Sequence, residues 1–284
     1  MTIQELLLVT TEILSDCETA VFDAVCLIED FIDLPRGSVN EHKDMVVEKQ
    51  RKNAVLQAAK QRAKGYPLQY LLGNWDFLNL NLHVGEGVLI PRPETELLCE
   101  TVADRISRFP QKDRPVRVWD LCAGSGCVGL GISSLVTTHA LQVTAVELSD
   151  QAMIFLQKNI QQYPQFNVTA VKANVLTDSN RFVDGVDVIV SNPPYIKTRD
   201  LKGLQREVQC EPELALNGDC DGLKFYRAIA TQWIPKLRSG GFVAVEIGFD
   251  QGDEVSSIFN TAGLHHIQCV QDYAGLDRVV IGYK

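Results

Sequence analysis

The chain has 284 residues, 45% hydrophobic and 22% charged, with a formal net charge of −9. That length accommodates one large or two smaller cored domains, and no apolar run approaches the ~20 residues a bilayer-spanning helix needs. An acidic balance argues against an extensive nucleic-acid footprint, which requires clustered Lys and Arg.

The N-terminal third reads as helical. Thr2 and Glu5 form a capping-box pattern, and Ile3, Leu6, Leu7, Ile13 and Leu14 recur at helical spacing. A second helix is expected to start near Ser15 or Asp16 and to end at Leu34-Pro35-Arg36-Gly37. A third segment spans about Asn40 to Lys64, with room for a break near Val46, and stops at Gly65. The first 35 residues carry eight acids and no Lys or Arg, whereas residues 48–64 carry six bases and one acid. This asymmetry is either a solvated helix face or a surface for a macromolecular partner.

Trp75 to Ile90 alternates in polarity around Gly85-Glu86-Gly87, which predicts a β-hairpin turning at those glycines. Ile90-Pro91-Arg92-Pro93-Glu94 then leads into a helix over Thr95 to Phe109. Its two prolines make a stiff loop, suited to open the helix or to wall a pocket. The expected organisation is a small all-α domain (1–74), a hairpin linker (75–91) and a larger domain (92–284).

From Val116 onward, short β-rich runs alternate with helical stretches: Val116–Leu121, Gln142–Glu147, Val168–Lys172, Val186–Ser191, Phe242–Ile247, Leu264–Val270 and Val279–Tyr283. The fold class is therefore α/β, a doubly wound, mostly parallel sheet of seven strands, with the last two closing as an antiparallel pair. Eight cysteines sit mostly in apolar runs without C-x-x-C spacing, so they are expected to be reduced, mostly buried small hydrophobes and not zinc ligands or a disulfide framework.

Three features carry chemistry. After the first strand, Cys122-Ala123-Gly124-Ser125-Gly126 and Gly129 form a G-x-G-x-x-G turn that lets a ligand approach the backbone. The motif fits NAD as well as S-adenosylmethionine (AdoMet). Glu147 ends the second strand, where a carboxylate accepts hydrogen bonds from ribose hydroxyls; Asn174 and Val175, after the third, are placed beside an adenine. Asn192-Pro193-Pro194-Tyr195 follows the buried run Val186–Val190. Prolines lack an N–H and fix φ, so this turn presents aimed acceptors: the Asn192 side-chain oxygen and the Pro193 carbonyl suit the two N–H groups of a planar NH2, with Tyr195 packing on the flat group. Such a site brings nitrogen and electrophile together and stabilises positive charge as the bond forms. Glutamine amide, adenine N6 and cytosine N4 all remain open on these residues alone.

Over nearly its whole length the chain resembles the bacterial release-factor glutamine methyltransferases. The resemblance rests on Tyr66-Pro67-x-x-Tyr70-Leu71-x-Gly73, Leu89-Ile90-Pro91-Arg92-Pro93-Glu94-Thr95-Glu96, the Gly-rich loop, Asn192-Pro193-Pro194-Tyr195-Ile196, Glu211-Pro212-x-x-Ala215-Leu216, Asp221-Gly222-Leu223, Gly240-Gly241-Phe242 and Asp277-Arg278-Val279-Val280. It implies AdoMet-dependent methylation of glutamine N5 in the Gly-Gly-Gln tip of peptide-chain release factors. It further implies that Cys122 to Gly126 and Glu147 hold the cofactor, that Asn192 through Tyr195 hold the glutamine, with Asn192 touching both ligands, and that the helical domain holds the release factor. Two positions depart from the family pattern: Asn174 stands where Asp is usual, and Cys-Ala-Gly-Ser-Gly replaces the commoner Gly-Thr-Gly-Ser-Gly. A cytoplasmic monomer without stable nucleic-acid binding is expected. The competing readings are a DNA or RNA adenine-N6 methyltransferase, a non-catalytic AdoMet-binding interaction protein and, more distantly, an NAD-dependent dehydrogenase, which leaves Asn192–Tyr195 without a role.

Overall fold

The structure, a computed structural model, describes residues 1–110 and 113–284. The chain divides into two compact units, Met1–Asn74 with Gln205–Cys210, and Trp75–Leu204 with Glu211–Lys284.

The first unit contains α1 (Ile3–Ile13), α2 (Ala20–Ile32), α3 (Lys49–Arg62) and α4 (Leu68–Leu72). The capping box forms as the sequence predicts: Glu5 N–H donates to Thr2 Oγ1 at 3.2 Å, and Thr2 N–H to Glu5 Oε2 at 2.9 Å. Ile3, Leu6, Leu27, Ile28 and Val55 are fully buried between the helices. α2 begins later than expected, because residues after Leu14 turn first: Cys17 N–H donates to the Leu14 carbonyl at 2.8 Å. The expected third helix is interrupted. A 3-10 turn covers Val39–His42, and Val46 pairs with Thr2 in an isolated bridge before α3 starts. Not all the bases of residues 48–64 face solvent. Arg62 is buried, its Nε donating to Asp23 at 2.6 Å and its Nη1 to Glu207 at 2.5 Å.

β1 (Asn74–Phe77), whose residues from Trp75 onward belong to the second unit, and β2 (Leu80–His83) form the hairpin. Its turn lies at Leu78-Asn79, with Leu78 at φ 53°, and not at Gly85–Gly87 as the glycines suggested. The reason is packing. Phe77, Leu80 and Leu82 must all be buried, and Leu78 N–H is satisfied by Glu96 Oε1 at 2.8 Å. Gly85 and Gly87 serve close approach instead: a Cβ at either would sit within 2.7 Å of Phe155 or Gln151 on the following αβ layer.

The remaining elements are α5 (Pro93–Ser107), β3 (Val116–Leu121), α6 (Cys127–Leu135), β4 (Leu141–Glu147), α7 (Asp150–Gln162), β5 (Val168–Lys172), β6 (Val186–Ser191), α8 (Glu213–Leu216), α9 (Lys224–Ala228), β7 (Leu237–Glu246), α10 (Gly252–Thr261), β8 (His265–Gln271) and β9 (Asp277–Tyr283). The strands form one seven-stranded sheet in the order β5-β4-β3-β6-β7-β9-β8. β5 through β7 run parallel, and β9 lies antiparallel to both β7 and β8, which is the predicted fold class. The central strands carry near-continuous apolar runs because helices cover both faces; Val188, Val190, Ala244 and Ile281 are fully buried on one side, Ile189, Val243 and Val245 on the other.

Strand order reverses between β3 and β6, and open α/β sheets hold ligands at such a switch point. The register aligns Leu121 with Val146 and with Ser191, so β3, β4 and β6 end level. Ser191 Oγ donates to the Leu121 carbonyl at 2.6 Å, locking the two edges of the switch together. Among the described residues, no helix is long and apolar enough to cross a membrane.

Candidate functional site

An open cleft lies over these strand ends. Nine of the residues singled out in the sequence line it: Cys122, Ala123, Gly124, Ser125, Glu147, Asn174, Val175, Asn192 and Pro194. Gly126, Pro193 and Tyr195 do not. Gly126 caps α6 at φ 83°, and a Cβ there would lie 2.6 Å from Leu156, so its freedom serves helix packing. Tyr195 turns its hydroxyl to Glu246 Oε1 at 3.3 Å.

The turn after β3 is held from β4. Glu147 Oε2 accepts the Gly124 N–H at 2.8 Å, while its Oε1 accepts from Leu148 and Ser149 N–H, both at 2.7 Å. A carboxylate has about four acceptor positions, so one remains unfilled on this cleft-lining residue. Cys122 adopts φ 60°, the left-handed region where the resemblance leads one to expect glycine, and burial pushes its thiol well above the ordinary range. Ser125 Oγ is buried beside the Cys127 thiol. The half-buried backbone of Cys122 and Gly124 and the part-satisfied Glu147 carboxylate, which line one cleft, fit the polar groups of a nucleoside ligand. Asn174 is partly committed, since its Oδ1 accepts the Leu176 N–H at 2.9 Å. The Val175 carbonyl accepts from Trp233 Nε1 at 2.8 Å, which fixes the loop from behind.

The loop before α5 walls the opposite side. Pro93 opens the helix, while Ile90, Pro91 and Arg92 line the cleft. Glu211, 5% exposed, accepts from the Ile90 N–H at 2.9 Å and from the Arg92 guanidinium. Burial raises its carboxyl, opposed by Arg92.

Sequence reasoning missed what stands behind Asn192. Its Nδ2 donates to Thr95 Oγ1 at 3.1 Å, and Thr95 Oγ1 donates to Glu246 Oε2 at 2.7 Å. Both Thr95 and Glu246 are 1% exposed, and burial pushes the Glu246 carboxyl up to about 7. No described residue donates to Asn192 Oδ1 or to the Pro193 carbonyl. The turn's exit is tied down as well, with Gln251 Nε2 donating to the Tyr195 carbonyl at 3.2 Å and Ile196 N–H to Leu216 at 2.9 Å. Among the described residues no His, Cys, Asp or Glu cluster has the arrangement of a metal site.

Two family models match the chain: one described as PrmC N-terminal domain over residues 5–73, and one described as conserved hypothetical protein 95 over residues 71–218. The release factor glutamine methyltransferase of Clostridium botulinum is 35% identical over 264 residues, covering 92% of this chain and 91% of its own. That of Vibrio cholerae is 32% identical over 290 residues, covering 100% and 98%. Among solved structures, the hMettl16 catalytic domain in complex with the MAT2A 3'UTR hairpin 6 superposes with a TM-score of 0.56 at 15% identity, over 83% of this chain and 82% of that one, a likeness of fold alone.

Proposed function

The chain belongs to the release factor glutamine methyltransferases, and from that premise we propose that it transfers the methyl group of AdoMet to N5 of the glutamine in the Gly-Gly-Gln tip of peptide-chain release factors. The observation that carries this reading is the unsatisfied acceptor at the cleft wall, Asn192 Oδ1, whose amide is oriented by Thr95.

AdoMet, when bound, supplies a sulfonium-activated methyl group. The backbone turn Cys122–Gly126 with Glu147 would hold the amino acid and ribose portions, and Asn174 and Val175 would border the adenine. Asn192 Oδ1, at the cleft wall, accepts one N–H of the substrate amide; the Pro193 carbonyl, outside the cleft lining, is the neighbouring acceptor for the other. A neutral amide nitrogen is a weak nucleophile; two acceptors on its N–H groups favour the positive charge that builds up as the new N–C bond forms. Pro194 walls the cleft, and Tyr195 anchors the turn through Glu246. The extra proton then leaves to solvent. The helical unit, whose Lys49, Lys60 and Lys64 are exposed, is the region assigned to release-factor docking.

The runner-up, an adenine-N6 methyltransferase, shares the planar NH2 logic but requires a basic groove for a strand. The test is Asn192→Ala. Transfer to a purified release factor is expected to be lost while AdoMet affinity stays within about tenfold, because only one hydrogen-bonding group near the cofactor is removed. Near-normal turnover in this variant contradicts the acceptor assignment.

A further inference from the structure

We infer that Thr95 and Glu246 are positioning residues that set which way round the Asn192 carboxamide faces, and so whether the cleft offers the substrate amide an acceptor. This rests on the reading of Asn192 Oδ1 given above. Distance alone does not distinguish the oxygen and nitrogen of a carboxamide, but the chain of donors does. Thr95 has one hydroxyl proton, and with Glu246 ionised that proton goes to Oε2 at 2.7 Å. Thr95 Oγ1 is then left only as an acceptor, so Asn192 must turn its NH2 to it, at 3.1 Å, and its oxygen away. The Tyr195 hydroxyl donates to the other carboxylate oxygen, and Tyr226 Oη holds the Glu246 carbonyl at 2.9 Å, so the base of the relay cannot swing.

A protonated Glu246 reverses the sequence. Its O–H donates to Thr95, whose own proton is freed to meet Asn192 Oδ1. The NH2 then faces the cleft, where it repels the N–H groups of the substrate. The groups facing the Glu246 carboxyl are Arg278 from β9, Glu94 and Cys99 from α5, Cys127 at the start of α6, and Tyr195 and Tyr226. Arg278 favours ionisation but is itself paired with Asp272 at 3.0 Å; Glu94 opposes it, and full burial dominates. With the carboxyl pushed up to about 7, the switch falls within a measurable pH range.

The experiment uses the full chain, AdoMet and a purified release factor. Thr95→Val keeps the shape and removes the acceptor, so kcat is expected to fall on the order of tenfold, the worth of one hydrogen bond, with AdoMet affinity unchanged. Thr95→Ser is expected to recover most of that loss. Glu246→Gln is expected to flatten the fall in kcat on the acid side of pH 7. If Thr95→Val turns over like the parent, or Glu246→Gln keeps the same acid limb, the relay is wrong even though Asn192→Ala is inactive. If Asn192→Ala itself turns over normally, the acceptor reading fails first. Equal loss in Thr95→Val and Thr95→Ser points to packing alone and also overturns the relay.

Discussion

Glu147 Oε2 accepts the Gly124 N–H at 2.8 Å, so the carboxylate at the end of β4 is built into the turn after β3. In the proposed function it would act on the cofactor in two ways: by its remaining acceptor position and by holding the turn that lines the cleft. Glu147→Ala removes both, together with the acceptors for Leu148 and Ser149. AdoMet affinity measured by calorimetry is expected to fall by roughly 10- to 100-fold, the range for hydrogen bonds to a charged group. Unaltered affinity removes Glu147 from the site.

Cys122 occupies left-handed backbone at φ 60°. Glycine relieves that conformation but loses a partly buried side chain and gains unfolded-state entropy, so Cys122→Gly is expected to leave stability within about 1 kcal/mol. Cys122→Val places a β-branched side chain where it clashes with its own backbone, and a loss of ~2 kcal/mol or more is expected. Denaturant unfolding of the two variants checks the contrast; equal effects contradict it.

Asp120 is fully buried, with Oδ2 accepting the Gly129 N–H at 2.9 Å and Oδ1 unpartnered. Desolvation raises its carboxyl from 3.8 to about 7, and Glu246 rises from 4.5 to about 7. Both folded-state values lie above the unfolded ones. Their contribution to stability is therefore fully present below about pH 4 and is lost as pH rises to 7. Asp120→Asn is expected to reduce the fall in unfolding free energy between pH 4 and 7, measured by urea titration. An unchanged slope shows that Asp120 is already ionised at low pH.

Glu211 is buried against Arg92 and the Ile90 N–H, at the wall of the cleft. Glu211→Ala leaves a buried N–H without an acceptor and Arg92 without its carboxylate. A destabilisation of roughly 2 kcal/mol is expected, because an orphaned buried donor costs its desolvation. Glu211→Gln keeps an acceptor for Ile90 and is expected to cost less. Thermal unfolding of the pair distinguishes them.

The sheet was legible because each strand is a short apolar run bounded by turn residues, and parallel strands covered on both faces need such runs. The Gly-rich turn and Asn192–Tyr195 were legible because glycine and proline announce their backbone locally. The hairpin turn was not: Leu78 takes positive φ against its own preference, since burial of Phe77, Leu80 and Leu82 fixes the register. The relay was hidden for another reason. Thr95 and Asn192 lie 97 residues apart, and Thr95 and Glu246 lie 151 apart. The one local signal was a carboxylate ending the apolar run Phe242–Val245, a position where a charge is costly without partners.

Methyl transfer to a glutamine amide is decided by where the label goes. Labelled AdoMet is supplied with the enzyme and, in parallel, a purified release factor, a release factor whose Gly-Gly-Gln glutamine is replaced by alanine, duplex DNA and RNA. Label is expected on the intact release factor only, with mass spectrometry placing one added methylene on that glutamine side chain. Label on nucleic acid alone, or on the alanine-substituted factor equally, contradicts it.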